Sequence, residues 1–467
     1  MTQPPARIFS GPTPSRIGPL DFEAGYPSAA TTQHLFDELD FQRAVQCYLW
    51  AIPYVSFGQW QDEHASVFDA HDGDLVRYDS FRDKLGLLTA NATTPYLVGF
   101  VHLGRTGPLV VDVPAGPLAG GVLDFWQRPC SDLGLTGPDG GAGGRYLVLG
   151  PGQQAPDITV DHHIEVPTLN MFIATRVLAP DPNDAAALAA AFRFYPASTI
   201  AEPQANRIVP AAGRVWSGMQ PRGLDYWRVL ARLVDDEPVN ERDRIMVAML
   251  EHLGIVKGRT FAPDERQRAI LEQATLVGEA MNRAIGFEPR FEGATIYPGR
   301  AWKIALFLDA SQEGEHATQL DERTAWFYEA VTASKGMTTT TPGQGQVYLH
   351  VDKDASGEWL RGDHTYELTV PADAPVLQFW SFTAYDIDTR CFIDNPHDRA
   401  DRSSRDDLIV NADGSVTLQI GPDEPDDARN WIPTVRGQGW FGYFRLYAPT
   451  AAYFDRSWQL PDLRRID

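Results

Sequence analysis

Hydrophobic and polar positions change period twice along this 467-residue chain, and each change marks a boundary. Over residues 32–56, Leu35, Leu39, Phe41, Val45, Tyr48 and Leu49 recur at three- and four-residue steps, which predicts an amphipathic helix. Between residues 85 and 176 the spacing shortens to that of strands, with apolar stretches at 96–103, 109–113, 145–149, 158–166 and 170–176. Turn signals at Gly107-Pro108, Pro114, Gly116-Pro117, Gly120-Gly121 and Gly150-Pro151-Gly152 separate them. Helical spacing then returns. Pro182 opens an alanine-rich helix with Asn183 or Asp184 able to cap it, and further helices are predicted over 224–234, 241–253, 264–285 and 321–335. Gly254, Gly286 and Gly336 stand at their ends, as a left-handed stop requires. From Gln346 onward short strands recur at a spacing of roughly eight to twelve residues, with a hairpin turn at Asp413-Gly414.

Strands, then helices, then strands describe an α+β multidomain protein and not a doubly wound parallel sheet. The expected division is a flexible N-terminal arm (1–31), a helix plus β-rich domain (32–180), a mainly helical segment (181–345) and a C-terminal antiparallel β-sandwich (346–467).

The formal net charge of −22 removes nucleic acid and anionic membrane surfaces as expected partners, because phosphate binding needs a basic footprint. Cys47, Cys130 and Cys391 are odd in number and widely spaced, so neither a disulfide framework nor a thiolate zinc site is expected. The first 25 residues lack an apolar leader core, and no apolar run approaches the ~20 residues of a membrane span. A reduced, soluble, cytoplasmic protein is the expectation.

The last quarter is dense in rings placed beside hydrogen-bonding groups: Phe379-Trp380-Ser381, Tyr385-Asp386, Asn430-Trp431 and Phe444-Arg445-Leu446-Tyr447. A core does not need such pairs, whereas a pocket for a small polar molecule does. The run Glu358…Gly362…Tyr366, Phe379-Trp380-Ser381, Tyr385-Asp386, Asn411 to Gly414, Asn430 to Pro433 and Arg445-Leu446-Tyr447 resembles the domain-of-unknown-function family numbered 1214. Upstream, Asn91…Thr94…Tyr96, Gly107-Pro108, Val113-Pro114, Gly144-Arg145-Tyr146, Gly150-Pro151 and Pro167-Thr168…Arg176 resemble its usual partner, the family numbered 1254. The resemblance implies two β-rich domains bracketing a helical segment, the second jelly-roll-like. It carries over no reaction, cofactor or catalytic residue. This chain departs from the pattern at Thr93, where an acidic residue is usual, and at Gly140 and Ala142, where lysines are usual.

No motif names a reaction. The glycine-rich stretch 137–144 lacks the lysine and following helix of a phosphate loop and reads as a hairpin loop. His163 and Glu165 share a strand face, but no third ligand is nominated, so no metal site and no cofactor is expected. Asp386, Ser381 and Asp112 are the catalytic candidates. Two have a bland counterpart: Ser381 as a bonded strand serine, Asp112 as an outward-facing carboxylate between Val111 and Val113. An inward Asp112 would have a raised pKa and acid–base capacity. Arg445 either binds a substrate carboxylate, projecting towards Tyr385 or Asn430, or locks the sandwich in place. The leading expectation is a hydrolase of a small polar organic molecule, in a cleft between the two β-rich domains. Tyr96, Trp126, Trp380, Tyr385, Trp431 and Tyr447 would line it, and Asn91, Asp386, Asn430 and Arg445 would orient the ligand. A non-catalytic ligand- or glycan-binding or assembly module is the alternative, and a metal-dependent lyase or oxygenase the third reading. Assembly as a homo-oligomer is left open.

Overall fold

A computed structural model describes Phe9 and residues 11–467. The start of the expected N-terminal arm, residues 1–8 and 10, lies outside the described residues. The described part of the arm forms two short hairpins, Thr13–Ser15 with Gly18–Leu20 and Phe22–Glu23 with Tyr26–Pro27. The chain divides into two units, Met1–Ala51 with Pro221–Met281, and Ile52–Gln220 with Asn282–Asp467.

Apart from the two hairpins, the first unit is mainly helical. Leu224–Asp236 buries Tyr226, Trp227, Val229, Leu230, Leu233 and Val234, the three-and-four spacing that makes one apolar face. Tyr226 donates its hydroxyl to the Tyr48 carbonyl at 2.7 Å, and the Trp227 indole donates to the Leu271 carbonyl at 2.9 Å. A side chain at Gly278 would put its Cβ 2.3 Å from the Tyr48 ring, so glycine is what lets the helices Ala29–Ser66 and Glu265–Phe287 meet there.

The second unit holds two β-structures. In the first, a six-stranded sheet runs in the order Arg207–Pro210, Asp74–Tyr78, Tyr96–His102, Asn170–Val177, Leu118–Asp124, Pro129–Gly134. It shares one apolar core with a four-stranded sheet ordered His162–Glu165, Gly144–Leu149, Leu109–Val113, Arg193–Pro196. Alternation divides the strand Tyr96–His102 between two environments. Leu97 and Val101 enter that core, while Phe100 packs edge-on against Phe57 and Trp60 from the helix Ala29–Ser66.

In the second β-structure, a five-stranded sheet runs in the order Lys303–Ile304, Gln346–Val351, Trp440–Pro449, Val376–Asp386, Asp401–Ser403. It faces a four-stranded sheet ordered Trp431–Pro433, Val416–Gly421, Tyr366–Val370, Arg464–Arg465. Val347, Leu349, Trp380, Phe382, Phe444 and Leu446 of the one meet Tyr366, Leu368, Leu418, Ile420 and Ile432 of the other in a single core. The pairing is not wholly antiparallel, since Val416–Gly421 and Trp431–Pro433 run parallel, joined through the turn Ala428–Asn430. The architecture is thus mixed α and β, with β-rich regions towards both ends of the chain.

One predicted helix is shorter than its periodicity suggests. The segment expected over 321–335 is helical only for Leu320–Glu329. Ala330 turns extended, and Thr332 takes a left-handed φ of 66° as its N–H reaches the Gln127 side-chain oxygen at 2.6 Å. A part-buried tertiary hydrogen bond outweighs the small gain from one more helical turn.

Gly442 lies at the centre of the five-stranded sheet, and a Cβ there would sit 2.4 Å from the Phe382 ring. Gly442→Ala is therefore expected to destabilise the protein by about 1–3 kcal/mol through overpacking, read as a lower denaturation midpoint. An unchanged midpoint would contradict this packing.

Candidate functional site

Strand alternation gives the five-stranded sheet two unlike faces. Its even-numbered members on Val376–Asp386 and Trp440–Pro449, such as Trp380, Phe382 and Phe444, fill the sandwich core. The opposite face carries polar side chains in rows. One row crosses the strands as Tyr348, Arg445, Ser381 and Ser403. The next crosses as Lys303, His350, Tyr443, Thr383 and Asp401. Tyr348, His350, Ser381, Thr383, Ser403, Tyr443 and Arg445 are all buried. A buried polar face is costly unless its groups are paired, so the pairing of each one matters.

The row through His350 is balanced. Its two ring nitrogens lie 3.1 Å from Glu329 Oε2 and 3.1 Å from Asp352 Oδ2. Lys303 Nζ donates to Asp352 Oδ1 at 2.7 Å, and Tyr443 donates to Glu329 Oε2 at 2.7 Å. Burial opposes charge on the ring, but Glu329 and Asp352 outweigh it and raise the His350 pKa to about 9. Two cations therefore face two carboxylates.

The row through Arg445 is not balanced. Arg445 is 3% exposed, and its guanidinium donates to Thr383 Oγ1 at 3.0 Å and to the Thr89 carbonyl at 2.9 Å. The rings of Tyr348, Tyr385 and Tyr443 surround it at 5.4, 5.7 and 5.4 Å from its carbon. Among the described residues no carboxylate pairs with it. Arg176, on the strand beside Tyr96, likewise forms no ion pair among the described residues. Both arginines act electrostatically on the Tyr348 hydroxyl, which itself makes no hydrogen bond among the described residues, although burial raises its pKa.

A segment from the N-terminal β-structure straps this face. Tyr385 donates to the Ala90 carbonyl at 2.6 Å, and the Asn91 amide donates to the Tyr447 hydroxyl. The Asn91 N–H donates to the Tyr96 hydroxyl at 3.0 Å, and Asn91 Oδ1 accepts from Thr93 N at 2.7 Å. Beneath the strap lies Lys84, fully buried, donating to the carbonyls of Asn91 at 3.2 Å and Thr94 at 2.9 Å. Burial lowers its pKa to about 8. Asp401, partly open at the sheet edge, has its carboxyl pushed up to about 6 by burial and by Asp406, against the pull of Arg402, Arg445 and Lys84. The arrangement offers anion-binding donors, an unspent phenol and one carboxyl able to exchange a proton near neutrality.

Of the residues singled out from sequence, Asn91, Tyr96, Tyr385, Arg445 and Tyr447 come together here, with Ser381 directly opposite Arg445. The others do not join them. Trp380 stacks on Phe444 inside the core, and Asp386 accepts from the N–H groups of Asp388 and Thr389 in a turn. Trp126 stacks on Tyr54 at 4.2 Å, beneath Arg323. Trp431 donates to the Gly421 carbonyl, and Asn430 clamps the backbone of Ile409 and Thr417. Asp112 faces outward on its strand, accepting from Arg145 at 2.8 Å, Arg193 at 3.1 Å and Tyr195 at 3.0 Å. Burial tends to raise its pKa, but these donors hold it below the usual carboxylate value, the reverse of the inward case. His163 and Glu165 are both exposed, and among the described residues no His, Cys, Asp and Glu side chains gather into a metal-ligand set. Sequence reasoning missed Tyr348, Thr383, Asp401 and Arg176 as site residues. The alternation Gln346, Tyr348, His350 was the available signal for one of them.

Residues 77–196 match the family described as a protein of unknown function (DUF1254), and residues 345–451 match the one described as a protein of unknown function (DUF1214). No curated protein matches the chain. The VPA0106 protein from Vibrio parahaemolyticus is similar in structure, with a TM-score of 0.57 and 16% identity over 92% of this chain and 100% of that one. An uncharacterized protein from Burkholderia cenocepacia aligns with a TM-score of 0.41 and 12% identity over 94% of this chain and 97% of that one. The first likeness bears on the fold alone. Among the described residues no helix is long and apolar enough to cross a membrane.

The His350 network yields a signed pH dependence. Its folded pKa of about 9 lies above its ordinary 6.5, so its stabilisation is complete below the lower value, declines as pH rises and is lost above the higher one. Denaturation midpoints should fall over that window in the wild type and fall less in His350→Gln. Superimposable profiles would contradict the assigned ion pairing.

Proposed function

We propose that this chain, which carries a DUF1254 region followed by a DUF1214 region, is an enzyme acting on a small anionic organic molecule, a carboxylate, held on the polar face of the five-stranded sheet. One observation carries the reading: Arg445 and Arg176 act on the same Tyr348 hydroxyl, and neither has a carboxylate partner among the described residues. A buried, uncompensated guanidinium costs several kcal/mol, and a ligand carboxylate would offset that cost through charge-assisted hydrogen bonds. Hydrolysis by an activated water is the chemistry that this donor set supports best. Asp401 would take the water's proton, as a carboxyl with a pKa near neutrality can. Arg445 and Tyr348 would steady the negative charge that develops on the attacked carbonyl oxygen, and its collapse would break the acyl C–O bond of an ester or lactone, the alcohol leaving with the proton that Asp401 took from the water. A serine nucleophile is less well supported, because both nitrogens of His350 are occupied by Glu329 and Asp352 and leave Ser381 without that base.

We read the finer topology of the C-terminal sandwich as jelly-roll-like, and we assign the protein to the reducing cytoplasm. Three free cysteines support that assignment. The non-catalytic binding module shares the same anion site and differs only in lacking turnover.

Arg445→Met should leave the unliganded protein close to wild-type stability, since relief of a buried charge offsets the lost hydrogen bonds to Thr383 and Thr89. The same variant should lose the thermal stabilisation that acetate, succinate or benzoate gives the wild type. In a screen of small carboxylate-bearing esters and lactones, Asp401→Asn should still bind but not turn over. Equal stabilisation of Arg445→Met by these anions would sink the anion site. Binding without turnover in the wild type would favour the non-catalytic module.

A further inference from the structure

A cleft of about 500 Å³ opens elsewhere in the second unit, within the range that accommodates small organic ligands. Its walls are chiefly Phe287, Trp359, Leu360, Ile387 and the Gly437–Trp440 turn. Trp359 is 48% exposed, a large ring left open beside a concave apolar surface. A single exposed ring needs no explanation, but one that borders a concave apolar surface does.

The charges around this cleft are already paired. Arg283 donates to Asp388 at 2.7 Å, and Asp352 in the wall is held by Lys303 at 2.7 Å. Lys353 pairs with Glu288 while its ammonium sits 4.2 Å over the Trp359 ring, and Arg361 lies 3.6 Å from Asp363. This is the opposite of the condition at Arg445. A charged occupant would find no unmatched partner here and would still lose its own hydration. A flat apolar occupant would gain from burial against Phe287, Leu360 and Ile387 and from ring contact with Trp359.

We propose that this cleft is a second small-molecule site, selective for a neutral aromatic or similarly flat apolar molecule. The concave shape favours such an occupant over a protein surface, which would need a broad exposed patch. The site stands independently of the anion site, since it shares neither Arg445 nor Tyr348.

Trp fluorescence titration with 2-naphthol, neutral near neutral pH, and 2-naphthoate, its anionic counterpart of similar size, tests both parts of the claim. Saturable binding of 2-naphthol is expected, with 2-naphthoate about tenfold weaker or worse. Trp359→Ala removes an exposed ring and should fold normally, yet it should weaken 2-naphthol about tenfold, followed by calorimetry. Ala284→Trp, which fills the cleft from the helix that borders it, should abolish binding. The proposal is overturned by an absence of saturable binding, by 2-naphthoate binding as tightly, or by both variants binding like the wild type.

Discussion

A single buried guanidinium organises the C-terminal sheet's polar face. Arg445 reaches the covering strap through the Thr89 carbonyl, a neighbouring strand through Thr383, and three tyrosine rings around it. Each cation–π contact is worth about 0.5–2 kcal/mol, and the two hydrogen bonds add about 1.5–3 kcal/mol each. These terms make the burial tolerable, but none supplies a negative charge. The neighbouring row shows what full compensation looks like: His350 and Lys303 face Glu329 and Asp352 at hydrogen-bond distance. Two adjacent rows of one sheet thus differ in whether their buried cations meet carboxylates, and the proposed ligand site rests on that difference.

The rest of the second unit serves to hold that face dry. The sandwich core fixes the strand register from behind, and alternation then delivers Tyr348, Ser381, Thr383, Tyr443 and Arg445 to the same side. The strap from Thr89 to Tyr96 covers it in front, anchored by Lys84 below and by Tyr385 and Tyr447 across the gap. Charge without a partner inside such an enclosure is a stability cost that is large against the margin of an ordinary protein.

Much of the fold was legible in the sequence because its signals are local. The helix Leu224–Asp236 and the strands Leu109–Val113 and Tyr96–His102 follow directly from apolar spacing. The early end of Leu320–Glu329 did not, because its cause is a hydrogen bond to Gln127, about two hundred positions away. The site was half legible for the same reason. Arg445, Tyr385 and Tyr447 stand out on their strands, and Asn91 stands out in its motif. Trp380 and Trp431 stood out equally, yet a shift of one residue in alternation sends Trp380 into the core. Asp401 was invisible and Tyr348 was signalled only by the alternation of its strand, since cross-strand register alone brings them beside Thr383 and Arg445.

The most direct measurement of the central claim is a high-resolution crystal structure of the protein purified without exchange of its bound small molecules. Density for a small anion within hydrogen-bond reach of the Arg445 guanidinium and the Tyr348 hydroxyl is the predicted result. A carboxylate of the protein itself, Asp401 included, closed directly onto Arg445 with no room for another molecule would contradict it.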